Sequence, residues 1–348
     1  MKKTLQLAGL LAGVVLVSLA RFTPEVSYWY PAGAGYQVAR VPGLVAQFQD
    51  PFAPLDFNVY TIVGNALTWR LLPPVVGGLL HLPVTAYFAA PLFATALLLG
   101  VSAAYVYRRT CSGRTTLIAA LLLATSSAFF TTTGWLGNFD GLYLTALVVV
   151  AFTGSPVALG AACALGPWCD ERFLLLLPAT FLLRQLTQPG PLRPTVLAAL
   201  AGIAPYVLLR LWAAGQNDGS LVLQLTNQQR AFDSYVGYVP VGWWMGFRLG
   251  WAAIAIGVWA SLRKNPAAIR PAQLLLPFAL AAGLAAIVFL AWDLSRSIAA
   301  LTPFLLAGVI YWPESRLRFL GIAAFFNLLL PAAHVAESQI ITIQSFWN

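Results

Sequence analysis

The sequence predicts an all-α, polytopic transmembrane helical bundle, a single membrane domain covering residues 1–348 with about eleven spans. Three observations lead there. The chain is 59% hydrophobic and only 9% charged, whereas a soluble domain carries about a quarter charged residues, so there is too little charge to cover a water-facing surface. The apolar residues come in long runs instead of alternating with polar ones. The basic residues stand in small clusters between those runs. A net charge of +9 raises the question of nucleic acid, but no continuous basic stripe exists and nucleic-acid binding is excluded on that ground. Scattered clusters of this kind are topology signals.

From the N-terminus, Met1-Lys2-Lys3 precedes an apolar run that ends at Ser18-Leu19-Ala20. This reads as an uncleaved first helix; a cleaved signal peptide is the alternative, and both place Arg21 outside. Further spans are expected near 83–106, 115–134, 141–153, 156–167, 172–186, 195–214, 246–263, 272–291, 297–312 and 318–335, after a first one at 4–20. The three around 141–186 are short, which fits a funnel or re-entrant helices about a cavity, where irregular backbone is tolerated. Two long outer loops are expected. The first, 21–82, is rich in aromatic residues, Pro and Gly at its front, and its apolar rear from Asn58 onward reads as a juxtamembrane helix on the membrane surface. The second, 215–246, approaches its end with Trp243-Trp244, an interfacial anchor.

With the N-terminus cytoplasmic and the C-terminus outside, the inner segments hold Lys2, Lys3, Arg108, Arg109, Arg114, Arg184, Arg193, Arg263, Lys264, Arg270, Arg316 and Arg318, which is 12 of the 20 basic residues. Short inner loops rich in Lys and Arg set this orientation. Of the 11 acidic residues only Glu314 then falls inside. The rest gather on the outer face, although exclusion of acids from inner turns would produce part of that bias. The expected location is a bacterial-type inner membrane with the active face extracytoplasmic.

Three outer turns set charges directly beside spans: Asn138-Phe139-Asp140-Gly141, Cys169-Asp170-Glu171-Arg172 and Trp292-Asp293-Leu294-Ser295-Arg296. Ionisable groups at a membrane are costly unless they face a cavity or a partner, so each marks a candidate site. Plainer roles compete. Asp293 and Arg296 have helical i,i+3 spacing for an ion pair, and Asp293 can cap the helix that follows. Asp170-Glu171-Arg172 admits the same reading. Asp140 can be a turn residue, and Asp50 and Asp56 can be ordinary loop acids. Transfer of a sugar from a lipid phosphate would use the whole set. The acceptor hydroxyl needs a carboxylate base, and the leaving phosphate needs guanidinium or ammonium groups. Arg70, Arg172, Arg230, Arg248 and Arg296 are the candidate phosphate partners. His81 and His334, far apart in sequence, read as structural or interfacial. Cys111, Cys163 and Cys169 form no CxxC pair, so neither a disulfide framework nor a zinc site is indicated. No organic cofactor is indicated and no metal site is assigned, although paired acids leave a divalent cation open.

Asp140-Gly141-Leu142-Tyr143-Leu144, the charged turn Asp170-Glu171-Arg172 running through an apolar stretch to Pro178, and a long first loop carrying Asp50 and Asp56 together resemble the GT-C superfamily of membrane glycosyltransferases. The resemblance implies an inverting transferase that takes a sugar from a polyprenyl-phosphate-linked donor in the bilayer and passes it to an envelope acceptor. A first-loop aspartate, Asp50 or Asp56, would be the base, with Asp140 a further catalytic acid. Arg70, Asp170, Glu171, Arg172, Arg230, Asp293 and Arg296 would bind substrate. Two other classes remain: a lipid or sugar transporter or flippase, and a non-catalytic membrane subunit of an envelope-assembly complex. Convergence of the acids on one outward site favours the enzyme. A pathway reaching both faces favours the transporter, and scattered acids favour the scaffold.

Overall fold

A computed structural model describes the chain except for residues 1, 23–39, 52–69, 135–137, 189, 217–231, 234, 264–269, 291–292, 337–338 and 344–348. The described chain is helical apart from one short hairpin. Its helices are α1 (Lys2–Phe22), α2 (Arg40–Gln49), α3 (Leu72–Leu79), α4 (Val84–Thr110), α5 (Gly113–Ala124), α6 (Ser127–Gly134), α7 (Asp140–Phe152), α8 (Pro156–Cys169), α9 (Arg172–Thr187) and α10 (Leu192–Gln216). They continue with α11 (Val239–Phe247), α12 (Trp251–Arg263), α13 (Arg270–Leu290), α14 (Leu294–Ser297), α15 (Thr302–Tyr311) and α16 (Leu317–Leu329). The hairpin pairs β1 (Ala333–Ala336) with β2 (Gln339–Thr342) in antiparallel register.

Five helical stretches are long and apolar enough to cross a membrane: Val84–Thr110, Leu192–Trp212, Val236–Arg263, Pro271–Leu290 and Leu294–Tyr311. Four shorter apolar helices, Gln6–Phe22, Gly113–Ala124, Asp140–Phe152 and Pro156–Cys169, accompany them. Burial separates inner from outer elements. Residues Leu294–Tyr311 are 89% buried, against 22% for Leu192–Trp212, so the former lies in the middle of the bundle and the latter on its rim. Large apolar side chains stay uncovered on the rim helices, among them Leu208, Leu211, Phe278, Phe319 and Phe325. That is the surface a lipid-facing helix presents. Helix α7, with Tyr143, Leu144, Leu147, Val148 and Val150 buried, shares the centre with α15.

The three short stretches near 141–186 are helices at 140–152, 156–169 and 172–187. Four other expected spans differ, each for a local reason. The run 115–134 breaks at Thr125-Ser126, whose hydroxyls turn back to the Leu121 and Leu123 carbonyls at 2.8 and 2.7 Å and so compete with the helical ladder. The run expected at 246–263 starts earlier, at Val236, and passes through a 3₁₀ turn at Arg248–Gly250. The run 297–312 likewise begins earlier, at Leu294, and carries a 3₁₀ turn at Ile298–Leu301. The run 318–335 ends at Leu329, because Pro331 cannot continue the helix and 333–336 is strand. Of the expected juxtamembrane helix, residues 58–69 lie outside the described residues; α3 follows, with its prolines in the first turn where a missing N–H costs nothing.

Arg248 secures two of these irregularities. Its backbone sits at positive φ, and its fully buried guanidinium donates to the Leu330 carbonyl at 3.0 Å and to the Thr125 carbonyl. It thereby satisfies the end of α16 and the break between α5 and α6. The rings of Phe22 and Phe130 flank it, 5.2 and 5.6 Å away. Asn327 bridges the same kink, accepting from Leu249 N at 2.9 Å and donating to the Phe247 carbonyl at 3.0 Å. Open backbone groups inside a membrane bundle need partners of this kind.

Candidate functional site

The starts of α7, α9 and α14, the turn before α3 and the hairpin after α16 meet at one end of the bundle, and each brings a charged group. Asp140 opens α7. Gly141 beside it lets α7 lie directly against α4: a Cβ there would stand 2.5 Å from the Ala94 backbone. That close approach sets the depth at which the Asp140 carboxylate sits, almost fully buried.

Two guanidiniums share that carboxylate. Arg172 Nη2 donates to Asp140 Oδ1 at 3.0 Å, and Arg296 Nη2 donates to the same oxygen at 2.7 Å. Arg296 Nε donates to Oδ2. Asp170 takes the other side of Arg172, with Oδ1 2.7 Å from Nε and Oδ2 2.6 Å from Nη2. It also caps α9 by accepting the Arg172 backbone N–H at 2.9 Å. Arg70 closes the row, 3.2 Å from Asp170 Oδ2 and 2.8 Å from Glu171 Oε1. At the opposite end Arg296 Nη1 reaches Asp293 Oδ2 at 3.2 Å. Asp293 is the residue before α14, but its side chain makes no capping bond there; the ion pair is its role.

Exposure grades along this row. Asp140 and Asp170 are closed off, with side chains 2% exposed, while Arg70, Asp293 and Glu171 are 16%, 24% and 33% exposed. The buried middle is therefore a fixed ionic core, and the two ends are what a ligand can reach. Burial opposes ionisation of the Asp170 carboxyl, but the Arg172 and Arg70 guanidiniums outweigh it and hold the group well below the usual carboxylate range. Burial also works against the Arg70 charge, and Asp170 and Glu171 more than restore it.

His334 joins from β1. Its Nε2 is 3.3 Å from Asp293 Oδ1, and its Nδ1 is 3.2 Å from Ser295 Oγ. Sequence reasoning set this histidine aside. The available signal was Pro331, beside which the last span stops six residues earlier than the apolar run suggests, turning His334 back towards the bundle end. Ser297 was missed too; it accepts from Arg172 Nη1 at 3.3 Å.

The structure thus brings together Arg70, Asp140, Asp170, Glu171, Arg172, Asp293 and Arg296. Asp50 sits exposed just past the end of α2, outside the ion pairs described above. Asp56 and Arg230 lie outside the described residues. Arg248, a candidate phosphate partner, serves backbone carbonyls instead. Among the described residues no group of three or more His, Cys, Asp or Glu side chains is arranged to hold a metal ion; within this row the carboxylates face guanidiniums.

No protein-family model matches the chain, and neither the curated proteins nor the solved structures give a match. What fold and site define is a class: a helical membrane protein with an ordered row of ion pairs at one end of its bundle.

Proposed function

We propose that the chain is a membrane glycosyltransferase of the GT-C kind, with about eleven spans and its N-terminus in the cytoplasm of a bacterial-type cell. It passes a sugar from a polyprenyl-phosphate-linked donor to an envelope acceptor on the outer face of the inner membrane. One observation carries this reading: charged groups from residues 70, 140, 170–172 and 293–296, far apart in sequence, meet in one ion-paired row. A scaffold has no use for such convergence. A phosphate-leaving group has, because guanidiniums locked in place before the reaction stabilise developing charge without reorganising.

In this reading Arg70, at the reachable end of the row, meets the lipid phosphate. Arg172 and Arg296 stand behind it and are held by Asp140, which lies too deep to touch an acceptor. A first-loop carboxylate, Asp50 or Asp56, takes the acceptor's hydroxyl proton. The freed oxygen attacks the anomeric carbon, and the bond from that carbon to the phosphate oxygen breaks. The electron pair leaves on the lipid phosphate, and the anomeric configuration inverts. Glu171 and Asp293 are placed to bind sugar hydroxyls.

One feature favours a second reading, carriage of a lipid-linked or free sugar. The central stretch Leu294–Tyr311 is interrupted by a 3₁₀ turn beside the ion pairs, and carriers often build their sites at interrupted helices. The test uses purified protein in lipid vesicles with labelled polyprenyl-phosphate sugars. Covalent transfer that collapses in Arg70→Gln, Asp50→Asn or Asp56→Asn, with folding intact, supports the enzyme. Movement of label across the bilayer without transfer supports the carrier and overturns the proposal.

A further inference from the structure

The hairpin β1–β2 returns to the bundle end after the last helix, and Val335 and His334 on β1 meet the site. Val335 N donates to Ser295 Oγ at 2.9 Å. The Ser295 hydroxyl can point its proton at His334 Nδ1, 3.2 Å away, and the Asp293 carboxylate beside Nε2 favours that arrangement. Nδ1 is then the acceptor and the imidazole carries its proton on Nε2. That is the nitrogen 3.3 Å from Asp293 Oδ1, and Asp293 Oδ2 is the oxygen that meets Arg296. Hydrogen bonds link Val335, Ser295 and His334, an ion-pair contact without hydrogen-bond geometry sets His334 against Asp293, and Arg296 donates to both Asp293 and Asp140. Ser295 and His334 are both buried.

We propose that His334 is a positioning residue: as a neutral imidazole fixed by Ser295, it holds Asp293 against Arg296 and so couples the C-terminal hairpin to the ion-paired row. The charges facing the imidazole are Asp293 ahead of α14, Arg296 on α14, Asp140 on α7 and Arg172 on α9. With a neutral imidazole, the row of Asp140, Asp170, Glu171 and Asp293 against Arg70, Arg172 and Arg296 has one more carboxylate than guanidiniums. A proton on His334 removes that excess. It also turns Nδ1 into a donor facing Ser295 and draws Asp293 towards the imidazolium and away from Arg296. The structure resists this: burial lowers the affinity of His334 for a proton below its ordinary value, against the pull of Asp293. The lock is closed at neutral pH and loosens in acid.

The role of Arg296 in transfer rests on the function proposed above, so the test reads the lock without activity. The chain has two histidines, so His81→Gln leaves His334 as the single imidazole. In nitrogen-15-labelled protein in lipid nanodiscs, the expected result is a neutral ring protonated on Nε2 at pH 7. Asp293→Asn lowers the midpoint of its titration, and Ser295→Ala shifts the Nδ1 resonance. The Arg296 Nε–H resonance, assigned with Arg296→Lys, keeps its position in His334→Gln, whose amide can still donate to Asp293. It shifts or broadens in His334→Ala and Asp293→Asn. An imidazole that titrates near its free value and ignores Asp293→Asn overturns the proposal, as does an Arg296 resonance unmoved by His334→Ala. If His334→Ala fails to fold, Ser295→Ala replaces it: an unmoved Arg296 resonance with a freed imidazole is then the overturning result. Failure of sugar transfer by the unaltered protein bears on the function alone.

Discussion

Asp140 is the hub of the buried row, and replacing it with Asn gives the sharpest test of how that row contributes to stability. The substitution keeps the shape but offers amide N–H donors to groups that are themselves donors. With the amide oxygen at the Oδ1 position, Arg172 Nη2 and Arg296 Nη2 keep a neutral acceptor but lose the carboxylate charge, and the amide NH2 faces the donor Arg296 Nε. Neither guanidinium is left bare, since Arg172 retains Asp170 at 2.6 Å and Arg296 retains Asp293 at 3.2 Å. Breaking a buried ion pair costs about 3–5 kcal/mol when one charge is left alone. The retained partners put Asp140→Asn at the lower end, about 3 kcal/mol, or roughly a hundredfold in the folding equilibrium. Reversible unfolding in mixed micelles, followed by tryptophan fluorescence, measures it. The double variant Asp140→Leu with Arg296→Met removes both charges and fills the space, so it is expected to be more stable than the sum of its single changes by about 2 kcal/mol. An Asp140→Asn protein within about 0.5 kcal/mol of the parent, a size ordinary for exposed positions, or strict additivity in the cycle, would refute the account of the row as a mutually dependent core.

Four further outcomes are expected. Gly141→Ala drives a Cβ to 2.5 Å from the Ala94 backbone, so α7 and α4 must part; a loss of about 1–3 kcal/mol in the same unfolding assay checks this. Arg248→Lys does not rescue Arg248→Ala, because one ammonium cannot span the Thr125 and Leu330 carbonyls; both variants should lose about 3 kcal/mol, read by thermal melting. Tyr143 is buried with a hydroxyl that has no partner among the described residues, so Tyr143→Phe is expected to raise stability by about 1 kcal/mol. Acid should destabilise in two stages in a melting-temperature series from pH 8 to 3. The folded-state affinity of His334 for protons is lowered, so the unfolded chain protonates first and stability drops as pH falls below about 6.5. The Asp170 contribution is complete above about pH 3.9 and is lost as pH falls through its lower folded value, and His334→Gln should abolish the first stage alone.

The composition made the helical class legible because apolar runs and scarce charge admit few other solutions. The charged turns were legible for a related reason: Asp140, Asp170, Arg172, Asp293 and Arg296 each interrupt apolar sequence, and such interruptions at a membrane are rarely idle. Their mutual contacts were not legible, because Arg296 and Asp140 are separated by 156 residues and nothing local records the pairing. His334 was hidden by its setting, inside an apolar run that reads as helix until Pro331 is weighed. The break at Thr125-Ser126 was hidden as well, because its compensation comes from Arg248, more than a hundred residues away. Arg248 was misleading for the same reason: a basic residue near an outer loop suggests a phosphate, whereas its positive-φ backbone turns it inward to carbonyls.

The sequence order of the row also dictates a schedule for its assembly. Chains emerge N-terminus first and domains begin to organise as they are made. Arg70, Asp140, Asp170, Glu171 and Arg172 are all synthesised within the first half of the chain, and they can pair as soon as α7 and α9 have entered the bilayer. Until Arg296 arrives, Asp140 has Arg172 as its guanidinium in this row, and the half-built site holds an excess of negative charge. Leu294–Tyr311 must then reach the middle of a bundle whose neighbours are already present, carrying Arg296 with it. The hairpin with His334 follows last. Ribosome-stalled intermediates shorter than about residue 300 should therefore show the row open and α7 accessible to charge-directed labelling, with protection appearing in one step as the final spans are released.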